Sequence, residues 1–214
     1  MEEYSEPLGV TERILIVAPP ASGGMAFISS ILDKQIKLGM QAIVISESVT
    51  SYIPPWLSSN LEAVEMPTSS SDHSLSNLVD RVCSDKTGRL LVVWDAWMIP
   101  EDFRNRVLNE YSGPLIMLTM SIDDIEINAF SSWSFLAPRD RDDAYVEQMF
   151  GRSVANEVAN LNCPIFGSTQ KDYIYVQKRN DCFIATTRIV RYCSEFIEFL
   201  NDRYATGLPL RTTC

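Results

Sequence analysis

The residues best suited to chemistry lie in the turn Ala18–Gly24, which contains two prolines and two adjacent glycines. The apolar run Ile14–Val17 precedes this turn, and apolar residues at helical spacing follow it from Phe27 onward. A strand, a glycine-bearing turn and a helix in this order direct backbone N–H groups and the positive end of a helix dipole towards an anion, usually a phosphate. The sequence therefore indicates a turn with the contour of a phosphate-binding site, and a plain connection between strand and helix is the alternative.

The turn lacks the side chains that act on phosphate in the pattern Gly, four residues, Gly, Lys, then Ser or Thr. Gly23 keeps the second glycine, but Gly24 replaces the lysine and Met25 replaces the hydroxyl that holds Mg²⁺. A lysine from elsewhere in the chain, such as Lys171 or Lys178, would have to supply the missing charge. The candidate nucleotide contacts are Ala21, Ser22, Gly23, Gly24 and Met25.

A carboxylate follows the second strongly apolar run, Leu90–Val93. Trp94 comes next and then Asp95, the position of an aspartate that holds the Mg²⁺ shell at the end of a central strand. Asp95 is therefore the candidate catalytic and metal-binding residue. A plain role at an exposed strand end or as a helix N-cap is an equal alternative.

Apolar runs alternate with helical patterns along most of the chain, which predicts an α/β fold with a mostly parallel sheet flanked by helices. Near the carboxyl end, Tyr173–Val176 and Phe183–Thr187 on either side of a polar turn predict a β-hairpin. Alternatively, a helix begins at Phe183 or Ile184. We expect a flexible acidic arm over residues 1–12, one domain over 13–205 and a tail over 206–214.

The net charge of −10 argues against broad adhesion to nucleic acid, although nucleic acid stays open as a partner. No apolar run reaches the ~20 residues needed to span a bilayer, and the amino terminus is unlike a signal peptide. Five scattered cysteines without a Cys-x-x-Cys pair favour reduced thiols. These features predict an intracellular protein, cytoplasmic or nuclear, without membrane contact.

The order of these motifs resembles the P-loop NTPase superfamily, with a core similar to the RecA-like proteins and the poxvirus-type packaging ATPases. This resemblance implies a three-layer sandwich and a polar sensor at Thr119 or Ser121. If the site is functional, it also implies a bound ATP or GTP with Mg²⁺. The nucleoside-monophosphate kinases are the competing group, because Arg139, Arg141 and Arg152 resemble an arginine-rich lid that would contact phosphate or a partner. A solvated, salt-bridged turn is the alternative for Arg139 and Arg141.

The missing side chains argue against catalysis. The RecA-like group carries a glutamate after the strand-end aspartate, and Ala96 stands there in this chain. We therefore expect a non-catalytic subunit that assembles with protein partners, as a homo- or hetero-oligomer, in an assembly or regulatory role. The alternative is an active NTPase of the packaging or translocation type, or a nucleoside monophosphate kinase, with a variant loop. That alternative requires a basic side chain at the turn.

Overall fold

The structure is a computed structural model that describes residues 8–19, 22–46, 53–66, 72–94, 96–122, 125–137, 143–161, 170–180, 182–192, 195, 197–199 and 202. Within these residues the strands are β1 (Arg13–Val17), β2 (Ala42–Ser46), β3 (Leu61–Glu65), β4 (Leu90–Val93), β5 (Leu115–Thr119), β6 (Ser132–Phe135), β7 (Gln170–Arg179) and β8 (Cys182–Arg191). The α-helices are α1 (Gly24–Lys37), α2 (Asp72–Cys83), α3 (Glu101–Glu110), α4 (Asp143–Phe150) and α5 (Arg152–Ala159).

The strands form one sheet in the order β3-β2-β4-β5-β1-β6-β7-β8. The first six strands in this order pair in parallel, and β7 and β8 continue the sheet in antiparallel pairing. The predicted α/β class with a mostly parallel sheet is confirmed. Strand β5 lies between β1, which leads into the candidate turn, and β4, which leads towards Asp95. The resemblance to the RecA-like and packaging proteins implies an inserted strand at this place, whereas the resemblance to the kinases implies adjacent strands.

Alternate residues of the central strands face two separate cores, which is why their sequences read as continuous apolar runs. Ile14 and Ile16 of β1 pack with Phe27 and Ile31 of α1 on one face. On the other face, buried residues of α2, α3, α4 and α5 pack into a second core that includes Leu15 of β1. Helices on both faces make the predicted three-layer sandwich.

The carboxyl-terminal hairpin is confirmed and is longer than predicted, since each of its strands has 10 residues. The alternative helix at Phe183 is wrong, because residues 182–191 pair continuously with β7. The physical reason is a two-residue period: Phe183 and Ala185 pack against one core, whereas Val190 is buried in the other. Ile189 and Val190 are neighbours in this strand, so their side chains point to opposite faces of the sheet.

Aromatic rings fix the hairpin to the second core. The ring centroid of Phe150 in α4 lies 5.1 Å from that of Trp133 in β6 and 5.0 Å from that of Phe183 in β8, both in edge-on geometry. Such aromatic pairs add about 0.5–1.5 kcal/mol beyond their area burial. The cluster therefore holds β8, at the edge of the sheet, against a helix.

The Arg13 guanidinium ties the first strand to the end of α3. It donates hydrogen bonds to the carbonyl oxygens of Leu108 and, at 2.7 Å, Tyr111. Leu108 lies in the last turn of the helix and Tyr111 directly follows it, and no intrahelical N–H is left there to satisfy their carbonyls. The hydroxyl of Tyr111 in turn donates to the carbonyl of Arg89, next to β4. One chain of polar contacts thus positions β1 relative to β4.

Candidate phosphate-binding site

The candidate turn connects β1 to α1 through a left-handed glycine. Gly23 has φ 84° and immediately precedes α1, a conformation that an L side chain rarely adopts. The Ser22 N–H donates to the carbonyl of Pro19 at 3.0 Å, which closes the turn before the helix begins. The Ser22 side chain is buried, and its hydroxyl has no hydrogen-bond partner among the described residues.

Gly24, at the lysine position of the motif, leaves no room for a side chain. A Cβ added there would lie 2.7 Å from the Cβ of Ala18 and 3.1 Å from a methyl carbon of Leu118. Ala18 is fixed by the backbone, since its N–H donates to the carbonyl of Thr119 at 2.9 Å. The missing lysine is therefore a packing feature of the turn. A lysine at this position would require the start of α1 to move.

Lys171 brings an ammonium group to the turn from β7. Its side chain is buried, with 5% of the residue exposed, and its Nζ donates a hydrogen bond to the carbonyl oxygen of Ser22. The same Nζ lies 4.0 Å from the position of a Cβ built on Gly23. The alternative function required a basic group at this place, and Lys171 provides it.

Packing of β7 against α1 fixes the path of Lys171. The ring centroid of Tyr173, two residues further along the same face of β7, lies 4.7 Å from that of Phe27 in α1. Directly after the next strand, the hydroxyl of Tyr192 lies 3.8 Å from the Cβ position at Gly23. Burial raises the pKa of the Tyr192 hydroxyl, which keeps it protonated at neutral pH. The hairpin thus contributes two side chains to the turn.

The amino terminus of α1 adds a second positive feature. No side chain among the described residues caps it, and no acidic residue stands in its first turn. The partial positive charge of a helix amino terminus and a buried ammonium together favour an anion. We conclude that the turn and Lys171 form a site suited to phosphate.

Strand β5 connects the turn to the segment after β4. Thr119 ends β5 beside Ala18, and its hydroxyl donates to the carbonyl of Ser121 at 2.7 Å. The preceding carbonyl, that of Leu118, accepts the N–H of Ala96 at 3.0 Å. The strand-end position expected for a polar sensor therefore lies next to the turn, and the sensor role itself stays a prediction.

The remaining predicted site residues divide by location. Ser22, one of the predicted nucleotide contacts, accepts the hydrogen bond from Lys171. The predicted contacts Gly23, Gly24 and Met25 directly follow it in the sequence. Arg152 is exposed at the start of α5, on the opposite face of the sheet from α1, so the structure does not bring it to the turn. Its role as a partner contact stays a prediction. The other predicted residues lie outside the described part of the chain: Ala21, Asp95, Arg139 and Arg141.

The described residues do not complete a magnesium site. No group of three or more His, Cys, Asp or Glu side chains that could hold a metal occurs among them. Met25, at the hydroxyl position, is half-buried and presents a thioether, which does not suit Mg²⁺. The hydroxyl ligand of the motif is therefore absent here, and the metal role of Asp95 remains a prediction. In the described part of the chain, no helix has the length and apolarity of a membrane span.

No protein-family model matches the chain, and no curated protein matches it. Its structure is similar to B204, the DNA-packaging ATPase from Sulfolobus turreted icosahedral virus, with a TM-score of 0.64, 9% identity, and coverage of 83% of this chain and 98% of that chain. The genome-packaging NTPase B204 from Sulfolobus turreted icosahedral virus 2, in complex with AMP, gives a TM-score of 0.65 at 9% identity, with coverage of 87% and 100%. The pCW3 conjugation coupling protein TcpA gives a TM-score of 0.56 at 10% identity, with coverage of 90% of this chain and 65% of that chain.

The chain therefore has the P-loop NTPase fold. Within that fold, it shares the overall arrangement of the viral genome-packaging ATPases, which it matches over nearly their whole length.

Proposed function

We propose that this chain binds the phosphates of a nucleoside triphosphate at the turn Ala18–Met25, as an NTPase-like protein of the packaging or translocation type. The observation that carries the proposal is the Lys171 ammonium at the carbonyl of Ser22. It supplies, from the sheet, the charge that Gly24 cannot carry. In the motif, the lysine that Gly24 replaces here stabilises the charge that develops on the transferred phosphoryl group. Such a contact lowers the reaction barrier by several kcal/mol.

The structural neighbours support a nucleotide as the ligand. The B204 protein of the second virus has been solved with ATP-γS, with AMPPCP, with AMP and with sulfate, and TcpA with ATP-γS. At 9–11% identity these proteins share a fold with this chain. The ligand is carried over as part of the proposal.

A non-catalytic assembly or regulatory subunit of a larger complex is the second candidate. It is favoured by Met25, which offers no oxygen to Mg²⁺, and by Ala96 at the place of the activating glutamate. Both candidates include phosphate binding at the turn. They differ in turnover. The side chains that are missing at the turn would normally stabilise the transition state, and each 1.4 kcal/mol of lost stabilisation slows the reaction about tenfold.

The decisive experiment is a calorimetric titration with ATP and Mg²⁺ of the unmodified chain and of Lys171→Gln. The glutamine keeps an N–H donor for the Ser22 carbonyl but removes the positive charge. We expect binding to weaken at least tenfold. Lys178→Gln is the matched control, because it removes the same charge from an exposed position of the same strand and should leave binding unchanged. Equal affinities for all three proteins would refute the proposal.

Turnover separates the two candidates. Phosphate release that is abolished by Asp95→Ala would favour the active NTPase of the packaging type. Tight ATP binding without phosphate release, unchanged by Asp95→Ala, would favour the non-catalytic subunit.

A further inference from the structure

A cleft of about 130 Å³ opens beside α1, next to the candidate turn. Ser29, Asp33 and Lys34 of α1 line one side of it. Trp56, in the helical turn that follows β2, and Arg191 and Tyr192, at the end of β8, line the other side. The cleft is smaller than the roughly 300–1,000 Å³ sites that enclose a whole drug-sized ligand. Its size therefore suits one part of a larger ligand.

The cleft adjoins the phosphate-binding turn. Tyr192 lines the cleft, and its hydroxyl also lies 3.8 Å from the Cβ position at Gly23. Ser29 follows Gly24 by five residues, which is roughly 8 Å along the axis of α1. A ligand whose anionic end lies at the turn can thus extend into the cleft beside Tyr192.

The lining offers a flat apolar surface. Trp56 is 42% exposed, a large fraction for an indole. Its orientation is fixed on one side by Phe199, whose ring centroid lies 5.9 Å away in edge-on geometry. An exposed and oriented indole is a stacking surface for a planar ring, and any nucleobase can use it.

Two buried oxygens of the lining residues lack hydrogen-bond partners among the described residues. They are the Ser29 hydroxyl oxygen and Oδ1 of Asp33. The other carboxylate oxygen of Asp33, Oδ2, accepts a hydrogen bond from Lys37 at 2.6 Å. Because an ionised carboxylate only accepts hydrogen bonds, Oδ1 requires a donor such as an amino group or a ring N–H. A buried unpaired oxygen is unfavourable, and a ligand that pairs it offsets that cost.

We infer that this cleft receives the base of the nucleotide whose phosphates bind at the turn, and that the base carries an exocyclic amino group. The inference rests on the proposed function. Trp56 stacks on the base, and Asp33 and Ser29 hydrogen-bond its edge.

The first test compares ATP with inorganic tripolyphosphate, which has the phosphates without the base. Trp56→Ala is expected to weaken ATP binding about tenfold, in the range of a lost base–aromatic stack, and to leave tripolyphosphate binding unchanged. Trp56→Phe keeps an aromatic ring and should retain most of the ATP affinity. Lys171→Gln is expected to weaken the binding of both ATP and tripolyphosphate. Melting curves of each variant establish that it is folded.

The second test concerns the amino group. The unmodified chain is expected to bind ATP more tightly than purine riboside triphosphate, in which a hydrogen replaces the amino group and no ring N–H is gained. Asp33→Asn should reduce that preference about tenfold. Lys37→Met is the matched control, because it breaks the Asp33 ion pair without removing the carboxylate, and it should keep the preference.

The outcomes distinguish this inference from the proposed function. If Trp56→Ala weakens neither ligand, or weakens both equally, the cleft does not hold the base and the inference is overturned. If Lys171→Gln leaves tripolyphosphate binding intact, the proposed function fails, whatever the Trp56 variants do. An unchanged preference in Asp33→Asn would overturn the assignment of the amino group.

Discussion

The ammonium of Lys171 donates a hydrogen bond to the carbonyl oxygen of Ser22, a residue 149 positions earlier in the chain. The positive charge at the turn therefore comes from the sheet instead of from the first helix. Because Lys171 stands at the start of a hairpin strand, the site exists only when β7 is paired with β6 and packed against α1. Formation of the site is thus coupled to completion of the sheet.

Gly24→Ala should destabilise the protein by about 1–3 kcal/mol, the usual cost of overpacking a filled core. The added Cβ would lie 2.7 Å from that of Ala18. Urea unfolding would measure the loss. Gly9→Ala is the control, since a Cβ at Gly9 meets nothing within 4 Å, and equal stability of the two variants would contradict the packing argument. For the same reason, Gly24→Lys should not improve ATP binding.

Phe150→Ala should cost about 3–5 kcal/mol of stability, as expected for removal of a buried aromatic ring. The variant removes the ring that contacts both Trp133 and Phe183. Because the cluster holds the hairpin, we also expect the substitution to increase the rate of hydrogen exchange in β8 more than it does in β1, each relative to the unmodified chain. Ile184→Ala, at an exposed position of β8, should change stability by about 0.5 kcal/mol or less. Uniform exchange across all strands would show that the hairpin is anchored by other contacts.

Arg13→Lys should lower the free energy of unfolding by about 1–3 kcal/mol. A lysine cannot reproduce the two-pronged contact with the carbonyls of Leu108 and Tyr111, because only the guanidinium presents donors in a fixed fork. Thermal and urea unfolding would measure the change. Arg152→Lys, on the exposed start of α5, is the matched substitution and should be neutral. A neutral Arg13→Lys would mean that the end of α3 is satisfied in another way.

Asp85→Asn should destabilise the protein at neutral pH by about 1–3 kcal/mol, and the difference should shrink in acid. Burial raises the pKa of the Asp85 carboxyl, but hydrogen bonds from the hydroxyl and N–H of Thr87 and from Arg89 outweigh burial, so the pKa lies below its usual range. A lowered folded-state pKa gives stability that is present above the unfolded pKa of about 3.9 and is lost as the pH falls through the folded value.

Urea unfolding of the Asp85→Asn variant and the unmodified chain between pH 7 and pH 3 would test this dependence. Asp80→Asn is the control, because Asp80 pairs with Arg106 at the surface, where ion pairs contribute about 0–1 kcal/mol. A stability difference for Asp85→Asn that stays constant down to pH 3 would contradict the predicted role of its charge.

The sequence predicted the elements better than their arrangement. Apolar runs such as Leu90–Val93 identified the buried strands, because a parallel strand covered on both faces carries no polar alternation. The strand order could not be read in this way, since the sequence contains no signal that places β5 between β1 and β4. The local pattern also left open whether a helix begins at Phe183 or Ile184, because the pairing with β7 that makes this segment a strand cannot be read from the segment itself.

The residues of the candidate site could be identified from the sequence only where they belong to one local pattern. The turn before α1 is a local pattern, so Gly23 and Ser22 could be identified from spacing. The role of Gly24 could not be understood from the pattern, because the obstacle to a side chain is Ala18, across the turn. Lys171 was only one of two candidate lysines, and nothing near it in the sequence marks it. Its position depends on a strand pairing that the hairpin prediction implied without fixing its register.

Two consecutive peptide groups of β5 hold both loops at this end of the sheet. The carbonyl of Leu118 accepts the N–H of Ala96, and the carbonyl of Thr119 accepts that of Ala18. A shift of the turn on loading or release of a ligand would therefore pull on the same strand end that supports the segment after β4. Coupling between the two loops would require no other conformational change, because the end of β5 would transmit the displacement directly.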